Sequence, residues 1–188
     1  MIQPARQLVV DASVALAADS STEVCAEASR QFLNTMARAT PHSAVMTELL
    51  EAEWRQLEKS GSPSGWAVPW LTWMRRKSRV HDADATVRLL PPCHADLATK
   101  FHQCAAPAVV IQAMLEDLHL VEAALATEQT VISADNKVRG HYGRVAPDVE
   151  ALRDICWVNP CLAAEEPTLW LRQGAPAEPA RKLGFYRK

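Results

Sequence analysis

LVVDASVAL, residues 8–16, decides the fold. Leu8, Val9 and Val10 form a short apolar run rich in β-branched side chains. The run stops at Asp11, and Ala12 to Leu16 resume in a helical style. A buried strand that feeds a helix reads this way, which predicts Asp11 at the strand's carboxyl end. A second strand-then-acid stretch lies far downstream. Gln129-Thr130-Val131-Ile132-Ser133 reads as a strand, Asp135 stands just beyond it, and Asn136 to His141 predicts a short helix. Open parallel sheets build their sites outside the carboxyl ends of strands. If these two strands are neighbours, Asp11 and Asp135 share one crevice although most of the chain separates them.

Between these stretches, helical and strand-like segments alternate. Thr22 to Arg38 places Val24, Ala28, Phe32 and Met36 at helical spacing, and Pro41 separates it from the next element. Ala44-Val45-Met46 reads as a short strand, and Thr47 as the N-cap of a helix that runs to Lys59 and is stopped by Ser60-Gly61-Ser62-Pro63. Ser64 to Ser78 predicts a helix rich in tryptophan (Trp66, Trp70, Trp73). Val87 to Leu90, before Pro91-Pro92, reads as a short strand or an extended connection. His94 to Cys104, Pro107 to Leu115 and Leu118 to Thr127 predict three successive helices, with Asp117 at the start of the last. Pro147 to Arg153 looks helical and Ile155 to Val158 looks like a final strand. From Pro160 to Pro179 proline, glutamate and alanine dominate, so a loosely packed tail is expected. The alternation favours an α/β three-layer sandwich around a mainly parallel sheet. One domain over residues 1–160 and a C-terminal extension or tail over 161–188 are the expected organisation.

Composition narrows the function classes. Of 188 residues, 48% are hydrophobic, but the apolar runs are only a few residues long and fall far short of the ~20 needed to cross a bilayer. No membrane partner is expected. Asp11 interrupts the first apolar stretch, so it does not read as an export signal. Cys25, Cys93, Cys104, Cys156 and Cys161 are scattered, odd in number and without a CxxC pair, which suits a reducing, cytoplasmic setting. The formal net charge of −2 requires any nucleic-acid surface to be local.

VVDASVAL, TELLEAEW, EDLHLVEAALAT and TVISADNKVR resemble, in this order, the motifs of the PIN-domain nucleases, a family that includes VapC-type toxins and RNA-processing enzymes. The resemblance covers roughly residues 7 to 158. Carried over position by position, it implies that Asp11, Glu53, Asp117 and Asp135 are the catalytic and metal-binding acids. It further implies Mg²⁺ or Mn²⁺ as cofactor, RNA as substrate, and an antitoxin protein and a second copy of the chain as partners. The chemistry explains such a set. Phosphodiester hydrolysis concentrates negative charge on the attacking, leaving and non-bridging oxygens, and hard divalent cations held by carboxylates offset it. Asp11 would be the central, bridging ligand. Glu48 and Glu51 compete with Glu53, although Glu53-Trp54-Arg55 best matches the family's Glu–aromatic–basic ending. Some members add an acid after the fourth, where this chain has Asn136 and Lys137, so a second metal is less secure.

Each acid also has an ordinary use: Asp11 and Asp117 as helix caps, Asp135 in a turn, Glu53 on a solvated face. Ser13 and Ser133 could orient carboxylates or cap helices. Arg139, His141 and Arg144, just after Asp135, are placed to meet substrate phosphates. Met74 to Arg79 is the densest basic stretch and reads equally as a phosphate contact or as a helix end. Cys93, His94, His102 and Cys104 lack the paired spacing of a zinc site. No Gly-rich phosphate loop is present, and His119 beside Asp117 does not make a triad.

Overall fold

In the computed structural model, which describes residues 4–19, 23–59, 67–90 and 96–186, five strands lie in the order β3-β2-β1-β4-β5. They are β1 (Gln7–Val10), β2 (Ser43–Met46), β3 (Val80–Asp82), β4 (Thr130–Ile132) and β5 (Cys156–Val158). The pairings are parallel throughout, which bears out the α/β class. Around the sheet lie α1 (Ala12–Asp19), α2 (Glu23–Ala39), α3 (Glu48–Lys59), α4 (Ala67–Arg76), α5 (Asp84–Val87), α6 (Leu97–Gln103), α7 (Ala108–Glu116), α8 (Leu118–Leu125), α9 (Asn136–Val145) and α10 (Pro167–Arg172). Leu8 to Val10, all of β4 and all of β5 are buried, as expected of strands covered on both faces.

The chain steps outward from β1 to β2 to β3, then crosses back through α5 to α8 and enters β4 on the other side of β1. Right-handed crossovers that run in opposite directions put their helices on opposite faces. The reversal lies between β1 and β4, where the Asp11 amide donates to the Ile132 carbonyl at 2.9 Å. A crevice forms outside the strand ends at such a reversal.

The third strand is Val80–Asp82 rather than residues 87–90, which instead close α5 and its following turn. Val80 and His81 are only half-buried and Asp82 is exposed, so this edge strand carries no apolar run to reveal it. Arg79 locks the segment in place by donating to the Met36, Ala37 and His42 carbonyls, which closes the end of α2. Residues 147–153 form turns around a short 3₁₀ segment, Glu150–Leu152, and α9 continues to Val145 instead of stopping at His141. Thr47 caps α3 through a 3.2 Å bond to the Leu50 amide.

The C-terminal extension is packed rather than loose. Cys25 on α2 and Cys161 form a disulfide, and the α10 side chains Trp170 and Leu171 are buried. His42 donates through Nε2 to the Leu171 carbonyl at 2.9 Å while its Nδ1 accepts from the Arg6 amide, and burial lowers its pKa. Further on, Leu183 bonds back to Ile155 and Gly184 to Arg153, beside the edge strand β5. Tyr186 then lies against Gly140 and Gly143 of α9. The segment thus straps the α2 layer to the α9 layer and covers an edge, which a polar, proline-rich composition does not announce. The disulfide also corrects the cysteine reading: cysteine usage no longer argues for a reducing compartment. Among the described residues no helix is long and apolar enough to cross a membrane. Thr22, the 60–63 stop, Trp66, Pro91-Pro92, Cys93, His94, Arg187 and Lys188 lie outside the described residues.

Candidate metal centre

Asp11 is held from both sides of the sheet reversal. Its Oδ2 accepts from Ser13 Oγ at 2.5 Å and from Ser133 Oγ at 2.6 Å, and its Oδ1 accepts from the Ser13 amide at 3.0 Å. Each serine hydroxyl accepts in turn from the β4–α9 loop: Ser13 from the Ala134 amide at 3.0 Å, Ser133 from the Asp135 amide at 3.1 Å. Both hydroxyls therefore orient the carboxylate. A carboxylate offers about four lone-pair directions. Three of Asp11's are taken, which leaves one on Oδ1 and argues against the expected bridging role.

Asp135 caps α9, with Oδ1 accepting from the Lys137 amide at 2.7 Å and the Val138 amide at 3.0 Å. Among the described residues nothing donates to its Oδ2. Asp117 precedes α8 without a side-chain cap bond, so the ordinary cap reading fails for it alone of the three aspartates. Burial, then the charges of Asp11, Asp135 and Glu53, raise its pKa from 3.8 to about 6, opposed only by His119. The charges of three acids from separate stretches, Asp11, Asp135 and Glu53, therefore act on Asp117, since nearby like charges disfavour ionisation.

Glu53 is the helix acid that faces this group. Glu51 instead joins Arg55 at 2.5 Å and also pairs with Arg75, and Glu48 is exposed with its amide on the Asp84 carboxylate. The next residue, Trp54, fixes α3 by donating from Nε1 to the Val10 carbonyl at 2.9 Å, one residue before Asp11. His119 was underrated in the sequence. It is nine-tenths buried, and its Nε2 stands 3.3 Å from Glu53 Oε2 without a well-aligned hydrogen bond. Burial pulls its pKa down most strongly, but Glu53, Asp117 and Asp11 together outweigh that and raise it. Its place two residues after Asp117 was the available signal.

The basic residues divide sharply. Arg139 is buried and its Nη1 pairs with Glu165 of the C-terminal strap, which Arg181 also contacts at 3.5 Å. As placed, it cannot meet a substrate phosphate. His141 is buried and sits 2.5 Å from Arg144 Nη2, whereas Arg144 is exposed. In the 74–79 stretch, Arg75 and Arg79 are committed to Glu51 and to the α2 carbonyls, and Lys77 lies over Trp73 at 5.8 Å. Trp70 stacks on Trp54 at 5.0 Å and is core, so it does not offer a base platform.

No known protein family, curated protein or solved structure matches the chain. Function has to be read from the crevice. Among the described residues no three His, Cys, Asp or Glu side chains stand as a ready-made ligand cage. The carboxylates of Asp11, Glu53, Asp117 and Asp135 are nevertheless the hard oxygen donors that suit a divalent cation, and the buried His119 Nε2 stands 3.3 Å from Glu53.

Proposed function

We propose that this chain is a metal-dependent endoribonuclease of PIN-like type that hydrolyses RNA phosphodiester bonds with Mg²⁺ or Mn²⁺. What supports the reading is that burial first, and then the like charges of Asp11, Asp135 and Glu53, push the Asp117 pKa up to about 6 at the sheet reversal. Such repulsion is destabilising unless a cation relieves it. A divalent ion held there would offset the charge that builds on the phosphoryl oxygens. The chain's own residues prepare for it. Ser13 and Ser133 fix Asp11 with one oxygen lone pair free, the α9 amides fix Asp135, and His119 stands beside Glu53. With Asp11 offering one lone pair, one ion fits the site better than two.

The reading extends to a toxin whose site is covered by a protein antitoxin, and to a homodimer; growth arrest on expression, relieved by Asp11→Asn, tests the toxin role. A second reading, a catalytically silent PIN-like module that binds RNA or protein, draws on the lack, among the described residues, of a ready-made ligand cage. Incubating labelled total RNA with Mn²⁺, Mg²⁺ or chelator separates the two. Metal-dependent products that vanish in Asp11→Asn and Asp117→Asn support the nuclease. Absence of cleavage, or cleavage unchanged by either substitution, supports the binding module.

A further inference from the structure

We propose that Lys137 and Arg144, braced by His141 between them, form the track that holds the phosphate backbone of single-stranded RNA beside the acidic crevice. This rests on the nuclease reading and assigns the substrate's path across the same site. The three residues stand at i, i+4 and i+7 of α9, one face of a helix. At 1.5 Å per residue they span about 10 Å, enough for Lys137 and Arg144 to meet different phosphates of one strand. The track starts two residues after Asp135, so a backbone lying on it leads into the carboxylates.

Charge commitment selects these residues. Lys137 and Arg144 are exposed, and among the described residues neither pairs with a carboxylate. Arg139, between them in sequence but on another face, is held by Glu165. Arg144 is braced rather than paired: Nε donates to the Gly140 carbonyl at 3.0 Å and Nη2 reaches His141 Nδ1 at 2.5 Å. The buried His141 ring lies between the charges of Lys137 and Arg144 on the helix face. Burial first, and then the charges of Arg144 and Lys137, lower its pKa, with Asp135 acting against them. A preorganised guanidinium and a mobile ammonium on one helix face suit a flexible chain of phosphates. With an overall charge of −2, such a local surface is what nucleic-acid binding needs.

The test uses a 5′-fluorescent, unstructured 12-nucleotide RNA and the full-length Asp11→Asn protein with Mg²⁺, which keeps the probe intact. Anisotropy is measured for this protein, for K137E/R144E in the same background, and for R38E/R76E. The last pair makes the same charge change at the ends of α2 and α4, which belong to crossovers that run across the sheet in the opposite direction to that of α9. The track predicts a loss of at least about tenfold in affinity for K137E/R144E and a salt slope smaller by about 1.4, at about 0.7 per single-strand phosphate. R38E/R76E should lose no more than about threefold. Equal losses in both pairs, no loss in the first, or no RNA bound by the parent would overturn the track. Thermal melts confirm that each variant folds. Cleavage by wild type is followed in parallel: cleavage with an indifferent track overturns this inference alone, whereas absent cleavage with track-dependent binding overturns hydrolysis alone.

Discussion

Acidic side chains cluster in two regions of this molecule, and they differ in what faces them. In the C-terminal strap, Glu165 meets Arg139 and Arg181, Glu178 meets Arg181 at 2.6 Å, and Asp154 meets Lys182 at 2.7 Å. In the crevice, Asp117 feels the charges of three other carboxylates and one histidine. The strap's charges satisfy one another and hold the fold. In the crevice, among the described residues, no Lys or Arg pairs with Asp11, Glu53, Asp117 or Asp135. A charge that the fold leaves uncompensated at a sheet reversal is the better guide to function.

The comparison breaks most visibly at Glu165. Replacing it with Gln strands the buried Arg139 guanidinium, and losing one partner of a buried pair costs about 3–5 kcal/mol. A fall in Tm of about 10 °C is expected for a chain of this size, with melting read by circular dichroism. The crevice should respond in activity instead. Removing both hydroxyls that orient Asp11, in a Ser13→Ala and Ser133→Ala double variant, should reduce metal-dependent cleavage by about 10- to 100-fold, the usual effect of losing the groups that orient metal ligands. Wild-type cleavage in that variant would detach the serines from the site.

A smaller effect sharpens how the strap closes. A Cβ at Gly143 would lie 2.5 Å from Cγ of Tyr186, so Gly143→Ala should destabilise by about 2 kcal/mol. Adding Tyr186→Ala should recover part of that loss, and a double-mutant cycle on denaturant melts reads the coupling.

The smallest expected effect has the opposite sign. The folded chain binds the Asp117 proton more tightly than the unfolded chain, with a pKa of about 6 against 3.8. The metal-free protein therefore keeps this contribution below about pH 4 and loses it as pH rises through about 6. At pH 7.5, Asp117→Asn should raise the stability of the metal-free protein by roughly 1 kcal/mol, allowing for solvent screening. The gain should disappear near pH 4. A loss of stability at pH 7.5 would mean that Asp117 is a satisfied structural residue, like Glu165.

The contrast also explains what could be read in advance. The strand-then-acid pattern at Val10-Asp11 and Ile132 to Asp135 was legible because buried parallel strands leave unbroken apolar runs. That pattern placed both aspartates at one edge. Val80–Asp82 was hidden because a half-exposed edge strand needs no such run. The strap was hidden because it is held by a disulfide, by long-range ion pairs and by a tyrosine seated on two glycines, none of which has a local period. Arg139 looked like a phosphate ligand from its position after Asp135, and only the return of Glu165 from the strap shows it to be committed. His119 was passed over because its relation to Glu53 depends on how α3 and α8 pack, and spacing alone does not give that.

The central claim is that the crevice carboxylates await a divalent cation, and the most direct measurement is Mn²⁺ titration at pH 7.5 followed by calorimetry and thermal melting. The account predicts saturable binding of about one ion to the wild type, with a Tm that rises with Mn²⁺ concentration as binding to the folded state alone requires. Both should be lost in Asp11→Asn and Asp117→Asn, while Glu165→Gln, if folded, still binds. Wild type that takes up no Mn²⁺, or uptake undiminished in both aspartate variants, would contradict it.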